Sequence, residues 1–183
     1  MMANPKYDPC TVVTGRNTKF SYLTINQPKI PLGGNRPKYS ASLIIPKSDT
    51  VTVEKIRAAI QAAYEEGQYK LMGKSKIVPR LEDLKTPLRD GDKVHPDDEA
   101  YRNCWFLSAS NYDRPVVVDA DRNPILDSSE LYSGIIGRAS ITFFAFYHDV
   151  NKGIACGLNG LQKLADGTPL GNRRNVAEDF DDD

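Results

Sequence analysis

The segment Lys38-Tyr39-Ser40-Ala41-Ser42-Leu43-Ile44-Ile45 points to the fold class, because its side chains alternate as those of a half-buried β-strand do. Pro46 follows directly and ends the run. One face of this strand would carry the mainly apolar set Tyr39, Ala41, Leu43 and Ile45. The pattern predicts a strand with one face against a core.

A second extended segment precedes it, over residues 16–25, and is rich in Thr, Phe, Tyr and Ile. The glycines and the proline of Gly33-Gly34-Asn35-Arg36-Pro37 predict a basic turn between the two, so we expect a long hairpin. Strict alternation gives the first strand two mixed faces: Arg16, Phe20 and Tyr22 on one, and Lys19, Leu23 and Ile25 on the other.

The strongest helix signal follows the hairpin. Ser48-Asp49-Thr50 supplies capping residues for a helix over residues 51–66, and Gly67 fits its end. One apolar stripe recurs at helical spacing and consists of Val53, Ile56, Ile60 and Ala63. Residues 68–98 show no clear periodicity and predict an excursion before the next strand.

Strand patterns return in the second half of the chain, at residues 104–109, 114–118, 139–148 and 153–164. Together with the hairpin they give six or seven strands and one long helix. The expected fold class is therefore mainly β, with little parallel-sheet character.

Length and composition set the limits. The chain has 183 residues, of which 40% are hydrophobic and 26% charged, as in an ordinary globular domain. It contains no apolar run near the roughly 20 residues of a membrane-spanning helix, and we expect no membrane partner. Its start lacks the apolar core of a secretion signal. Three distant cysteines predict free thiols in a reducing cytoplasm.

Charge is unevenly distributed along the chain. Residues 1–80 contain 13 Lys/Arg against 5 Asp/Glu, whereas residues 177–183 contain five acids and no base. A basic half predicts a polyanionic partner, and the acidic end predicts a separate tail. Within the tail, Phe180 offers an apolar anchor among charges.

The residues give little support for catalysis. Neither of the two histidines has a second His or Cys at ligand spacing, and no nucleophile motif is present. We assign no catalytic residue, no metal ligand and no cofactor, and expect a protein that is not an enzyme. A metal-dependent nuclease built from scattered carboxylates stays open as an alternative.

Basic residues alternate with aromatic ones on the extended segments, a mixture that single-stranded nucleic acid requires. Cations follow the phosphates while flat rings stack on unpaired bases. The candidate phosphate contacts are Arg16, Lys19, Arg36, Lys38 and Arg102. The candidate stacking rings are Phe20, Tyr22, Tyr39 and Trp105.

Several motifs resemble phage single-stranded-DNA-binding proteins long catalogued as a domain of unknown function, in order over residues 10–165. The closest similarity lies in Lys152-Gly153-Ile154-Ala155-Cys156-Gly157-Leu158-Asn159-Gly160-Leu161-Gln162-Lys163. Further similarity lies in Ala63-Tyr64-Glu65-Glu66-Gly67, Trp105-Phe106-Leu107, Arg114-Pro115-Val116-Val117 and Phe143-Phe144-Ala145-Phe146-Tyr147.

The resemblance implies an OB-fold-like antiparallel barrel with insertions, over residues 1–170, followed by a flexible acidic tail over residues 171–183. An OB-fold has three strands before its helix, which requires the chain between Cys10 and Ile25 to bend into two strands at Gly15.

The resemblance also implies sequence-independent binding of single-stranded DNA during phage replication or recombination, in the cytoplasm of the infected host. More distantly related single-strand binders recruit replication proteins through acidic tails that end in an aromatic residue. The corresponding tail residues here are Glu178, Asp179, Phe180, Asp181, Asp182 and Asp183, with Phe180 fourth from the end. A structural phage protein is a second alternative, and the oligomeric state, a homo-oligomer included, is left open.

Overall fold

A computed structural model describes residues 8–148 and 150–170, and within them it contains eight strands and three helices. The strands are β1 (Thr11–Val13), β2 (Thr18–Lys29), β3 (Lys38–Pro46), β4 (Arg89–Asp90), β5 (Cys104–Asn111), β6 (Val116–Val118), β7 (Ile136–His148) and β8 (Asn151–Ala165). The helices are α1 (Thr50–Glu66), α2 (Gln68–Met72) and α3 (Gly91–Val94). The prediction of a mainly β fold with one long helix is confirmed.

Five of the strands close into a ring, in the order β2, β3, β5, β8, β7 and back to β2. β1 and β6 extend the sheet at its ends, and β4 pairs with β5. The structure differs from a purely antiparallel sheet, because β8 runs parallel to β5 and β6. Five strands in a ring cannot all alternate in direction, so one neighbouring pair must be parallel.

The chain does bend into two strands at Gly15, so three strands precede α1. The Gly15 N–H donates to the Thr52 hydroxyl at 2.9 Å, which brings the bend against the first turn of α1. A β-carbon on residue 15 would collide with the Asp49 carboxylate. Only glycine fits this contact.

A β-bulge in β2 corrects the predicted faces of that strand. Between Ser21 and Thr24 the chain advances three residues while β3 advances two, and Tyr22 at the bulge has φ 46°. The extra residue reverses the alternation, so Phe20 and Ile25 both reach the core although their spacing is odd. The prediction that Phe20 and Tyr22 lie on one face of the strand is therefore wrong.

Helix α1 forms as its pattern predicts. All four residues of the predicted stripe are buried, and α1 packs against β1 and β7. The Asp49 side chain accepts a hydrogen bond from the Thr52 N–H, which caps the first turn. At the other end the Gly67 N–H donates to the Ala63 carbonyl at 3.0 Å. The helix thus closes one side of the core.

Three further observations complete the fold. The three cysteines are free, as expected, with Cys10 and Cys156 buried. None of the described helices has the length and apolar content that crossing a bilayer requires. The predicted tail, residues 171–183, lies outside the described residues.

Candidate nucleic-acid interface

The register of β2, β3 and β5 separates a core face from a solvent-side face, which we call the outer face. Leu43 is opposite Leu107, and both are fully buried, which marks the core face. The alternate positions are on the outer face because successive side chains point to opposite sides of a strand. They form the cross-strand pairs Lys19–Ile44, Ser21–Ser42, Thr24–Ser40, Ser40–Ser110, Ser42–Ser108 and Ile44–Phe106.

One part of the outer face is covered by the chain segment that precedes β5. Tyr101 from this segment is 3% exposed, and its ring centroid lies 5.1 Å from that of Phe106 and 4.4 Å from that of His95. Ser21 and Ser42 hydrogen-bond its hydroxyl. Burial raises the pKa of Tyr101, against the effect of these hydrogen bonds. We call this part, with Ile44 and Phe106, the covered half.

Ion pairs hold the covering segment against the sheet. Lys47, directly after β3, contacts carboxylate oxygens of Asp90 and Asp92 at 2.8 Å each. The hydrogen bonds from Lys47 lower the pKa of both carboxyl groups. Asp92 also accepts a hydrogen bond from the Asn103 N–H at 3.0 Å. One lysine therefore anchors the beginning of the segment whose end carries Tyr101.

The other part of the outer face is open to solvent, and we call it the open half. Its floor consists of the small polar residues Ser40, Ser108 and Ser110. Tyr112 follows β5 and is 44% exposed. The Arg36 guanidinium lies 3.9 Å, and the Lys38 ammonium 4.8 Å, from the centroid of its ring. An aromatic ring and two cations thus meet beside a floor that lets a flat ligand approach the sheet.

The predicted phosphate contacts fall into two groups. Arg36 and Lys38 meet in the open half, whereas Lys19 is level with Ile44, six residues further along β3. At about 3.3 Å per residue the two groups are about 20 Å apart. Arg16, in the turn after β1, and Arg102, after Tyr101, are exposed near the Lys19 end. The structure therefore does not bring all five residues together.

The predicted stacking rings are more scattered. Phe20 is 0% exposed and cannot stack on a base, because it lies opposite the buried Leu43 on the core face. Tyr39 and Trp105 are half-buried on the core face, opposite Asn111 and Ile45 respectively.

The Trp105 ring has two cations near it, Arg57 at 4.9 Å and Lys47 at 5.1 Å from its centroid. Tyr22 is 58% exposed at the bulge, beside Tyr101. Of the four predicted rings, Tyr22 alone is freely accessible.

The candidate list from the sequence omits Tyr112 and the serine floor. The omitted signal is the alternation of small polar residues in Ser40-Ala41-Ser42 and again in Ser108-Ala109-Ser110. A strand that carries serine at every second position has a solvent-side surface without bulk. Such a surface can be recognised only when the strand register is known, because the register places the two segments side by side.

The described residues offer no metal centre. Among residues 8–148 and 150–170, no three His, Cys, Asp or Glu side chains are arranged to hold an ion. The carboxylates near the outer face bond Lys47 or cap short turns, as Asp98 does for the Ala100 N–H. The arrangement is suited to binding a polyanion through cations and rings.

Comparison with known proteins agrees with this geometry. The family described as "Enterobacter phage Enc34, ssDNA-binding protein" matches residues 10–183. This chain belongs to that family. Protein p50 of Acyrthosiphon pisum secondary endosymbiont phage 1 is 31% identical to this chain over 172 residues. The aligned region covers 91% of this chain and 90% of that protein.

Solved structures share the fold at lower identity. The single-stranded DNA-binding protein of bacteriophage Enc34 in complex with ssDNA is 23% identical and has a TM-score of 0.75, covering 88% of this chain and 90% of that one. The gp2.5 single-stranded DNA-binding protein of bacteriophage T7 is 15% identical and has a TM-score of 0.57, covering 94% and 96%. The fold of the family is thus present over most of the chain.

Proposed function

We propose that this protein, a member of the Enc34 family, binds single-stranded DNA without reading its sequence and is not an enzyme. The observation that carries the proposal is the open half, where the cations of Arg36 and Lys38 lie 3.9 and 4.8 Å from the centroid of the half-exposed ring of Tyr112, beside a serine floor. Cations hold phosphates at any sequence, and every base has a flat face to stack. Acting in phage replication or recombination, the protein would coat exposed strands in the cytoplasm of the infected host.

The assignment of individual residues follows from their positions. We propose Arg36 and Lys38 as phosphate contacts and Tyr112 and Tyr22 as stacking rings. Lys19, Arg16 and Arg102 form the second basic group, about 20 Å along β3 by strand geometry. That group would attract the strand at longer range and contribute less to affinity.

The test is a titration of fluorescein-labelled oligo-dT, followed by anisotropy at two salt concentrations. Replacing Lys38 with Gln should weaken binding and reduce the salt slope by about 0.7, the effect of one lost phosphate contact on a single strand. Lys55→Gln, on the exposed side of α1, removes the same charge and is the matched control. Equal binding by Lys38→Gln and the control would contradict the site.

A gel shift with the same labelled oligo-dT separates this function from its rivals. A nuclease would shorten the labelled strand in Mg²⁺ or Mn²⁺, whereas a binding protein retards it intact. A protein used only for assembly would leave both oligo-dT and duplex unretarded. Light scattering with and without oligo-dT would show whether the protein binds as a homo-oligomer.

The acidic tail has a proposed role of its own. Leu170, the last described residue, donates its N–H to the Ser133 carbonyl and lies beside Tyr22 and Tyr101. A tail that starts there begins next to the outer face, and its five acids are attracted to the same cations as DNA. We propose that it competes weakly with DNA and recruits replication proteins through Phe180.

Deletion of residues 177–183 tests the competition. Affinity for oligo-dT should stay equal or rise, most at low salt, where charge attraction is least screened. A marked loss of affinity on deletion would contradict the competing role. Phe180→Ala, which keeps all five acids, should leave DNA binding unchanged and reduce only the binding of a tail partner.

A further inference from the structure

A second groove lies on the outside of β1, β7, β8 and β6, apart from the open half. Its volume is about 510 Å³, and its lining includes two arginines, Arg122 and Arg138, together with the polar residues Asn159 and Gln162. Valines of β1 and β6 complete the walls. No carboxylate is among its described lining residues, so the groove is suited to a negatively charged ligand.

Neither arginine is neutralised by a carboxylate among the described residues. In the part of the chain that the structure describes, neither is in an ion pair. The Arg138 Nε donates to the Thr14 carbonyl at 3.4 Å, and its two terminal nitrogens have no acceptor among the described residues. Arg122 is exposed in the turn after β6. A phosphate is an acceptor whose geometry suits a guanidinium.

The groove is continuous with the open half through the sheet itself. Ser110 of β5 is opposite Gly157 of β8, and Gly157 is opposite Thr142 of β7. Cross-strand partners lie on the same face of a sheet. Two crossings of about 4.8 Å each give a path of about 10 Å from the serine floor to Thr142. Two residues further along β7, Ser140 lines the second groove.

The crossing between the two surfaces carries a half-exposed aromatic ring. Phe144 of β7 is 48% exposed. A β-carbon on Gly157 would lie 3.6 Å from the edge of this ring, which places Phe144 next to the glycine at the junction. No side chain of residue 157 stands in the way, so a polynucleotide could cross the junction in contact with the ring.

We propose that the second groove holds the continuation of the same DNA strand after it leaves the open half. Arg122 and Arg138 bind its phosphates there, and Phe144 contacts a base at the crossing. This inference rests on the proposed function and extends its site from three strands to the far side of the ring. It makes the DNA footprint longer than the open half alone allows.

The experiment compares two oligonucleotide lengths on the full-length protein. Single OB-folds cover about 4–16 nucleotides, so labelled oligo-dT of about 5 and about 15 nucleotides would fill the open half alone or both surfaces. Arg122→Gln and Arg138→Gln should each weaken binding of the longer strand roughly fivefold at low salt and lower its salt slope by about 0.7. Binding of the shorter strand should not change.

Matched variants keep the outcome decisive. Arg138→Lys retains the charge and should bind the longer strand nearly as the wild type does, and Lys55→Gln should affect neither length. Unchanged binding of both lengths by the two Gln variants, or an equal loss on both, would overturn the inference. Lys38→Gln should weaken both lengths, so a failure of the second groove is separable from a failure of the open half.

Discussion

The two halves of the outer face both carry cross-strand serine pairs, but one half is buried and the other is open to solvent. Ser40–Ser110 and Ser21–Ser42 are both cross-strand serine pairs, yet Ser21 and Ser42 are 6% and 8% exposed, whereas Ser40 and Ser110 remain half-exposed. The difference is Tyr101, whose hydroxyl is the hydrogen-bond partner of Ser21 and Ser42, two side chains that burial removes from water. A serine row is therefore a surface only where no segment of the chain folds back over it.

The largest expected effect tests the covered half. Tyr101→Ala removes a buried ring that contacts Phe106 and His95 and leaves Ser21 and Ser42 without their partner. It should lower the free energy of unfolding by about 3–5 kcal/mol, as truncation of a buried aromatic does. Urea unfolding followed by circular dichroism measures the change.

Tyr101→Phe separates the ring from its hydroxyl. It keeps the packing and removes only the hydrogen bonds, so about 1–3 kcal/mol should be lost. If the two variants were equally stable, the ring would contribute nothing to the cover. That result would contradict the division of the outer face into a covered and an open half.

The next effect tests the open half by the same truncation at Tyr112. Because this ring is half-exposed and, among the described residues, stacks with Arg36 and Lys38 alone, Tyr112→Ala should change stability by less than about 1 kcal/mol. Oligo-dT affinity should fall by about 1–3 kcal/mol, the contribution of one stacked base. Anisotropy and urea unfolding of one preparation give both numbers. An unchanged affinity would exclude Tyr112 from the interface.

A smaller effect concerns the anchor of the covering segment. The pKa values of Asp90 and Asp92 are lowered from 3.8, and the hydrogen bonds from Lys47 are the largest cause. A carboxyl group whose pKa is lowered in the folded protein stabilises the fold at pH values above its ordinary pKa. This contribution is lost as the pH falls through the lowered pKa of the folded protein. Stability should therefore decrease below about pH 4.

Lys47→Met is the variant that reveals this dependence. Without the ammonium, the two carboxyl groups should titrate nearer their ordinary values, so the acid-induced loss of stability should be shallower than in the wild type. Unfolding midpoints between pH 7 and pH 3 measure it. An identical pH profile for both proteins would show that the ion pairs do not hold the segment.

The periodic elements of the fold could be predicted from the sequence. The stripe of α1 and the alternation in β3 follow from local spacing, whereas the bend at Gly15 is expected only from the resemblance to an OB-fold. The faces of β2 could not, because a bulge inserts one residue and nothing in Ser21-Tyr22-Leu23 announces it. A period-two pattern is reliable only while the register is unbroken.

The type of ligand could be predicted from the sequence, whereas the position of the candidate site could be predicted only in part. Basic residues among aromatic ones indicate a nucleic-acid partner, and Arg36 and Lys38 do meet an exposed ring. That ring is Tyr112, which is 74 positions from Lys38 in the sequence and beside it only through the pairing of β3 with β5. Trp105 shows the reverse, since its position opposite Ile45 places it on the core face although two cations lie near its ring.

The most direct test of the account uses tryptophan emission at these two positions. In Tyr112→Trp, saturation with oligo-dT should strongly quench the added emission as a base stacks on the new indole, while Trp105 in the wild-type protein should change little. Anisotropy on the same samples confirms that DNA is bound. Strong quenching of Trp105 in the wild type, or an unchanged Tyr112→Trp signal at saturation, would place the DNA elsewhere and contradict the account.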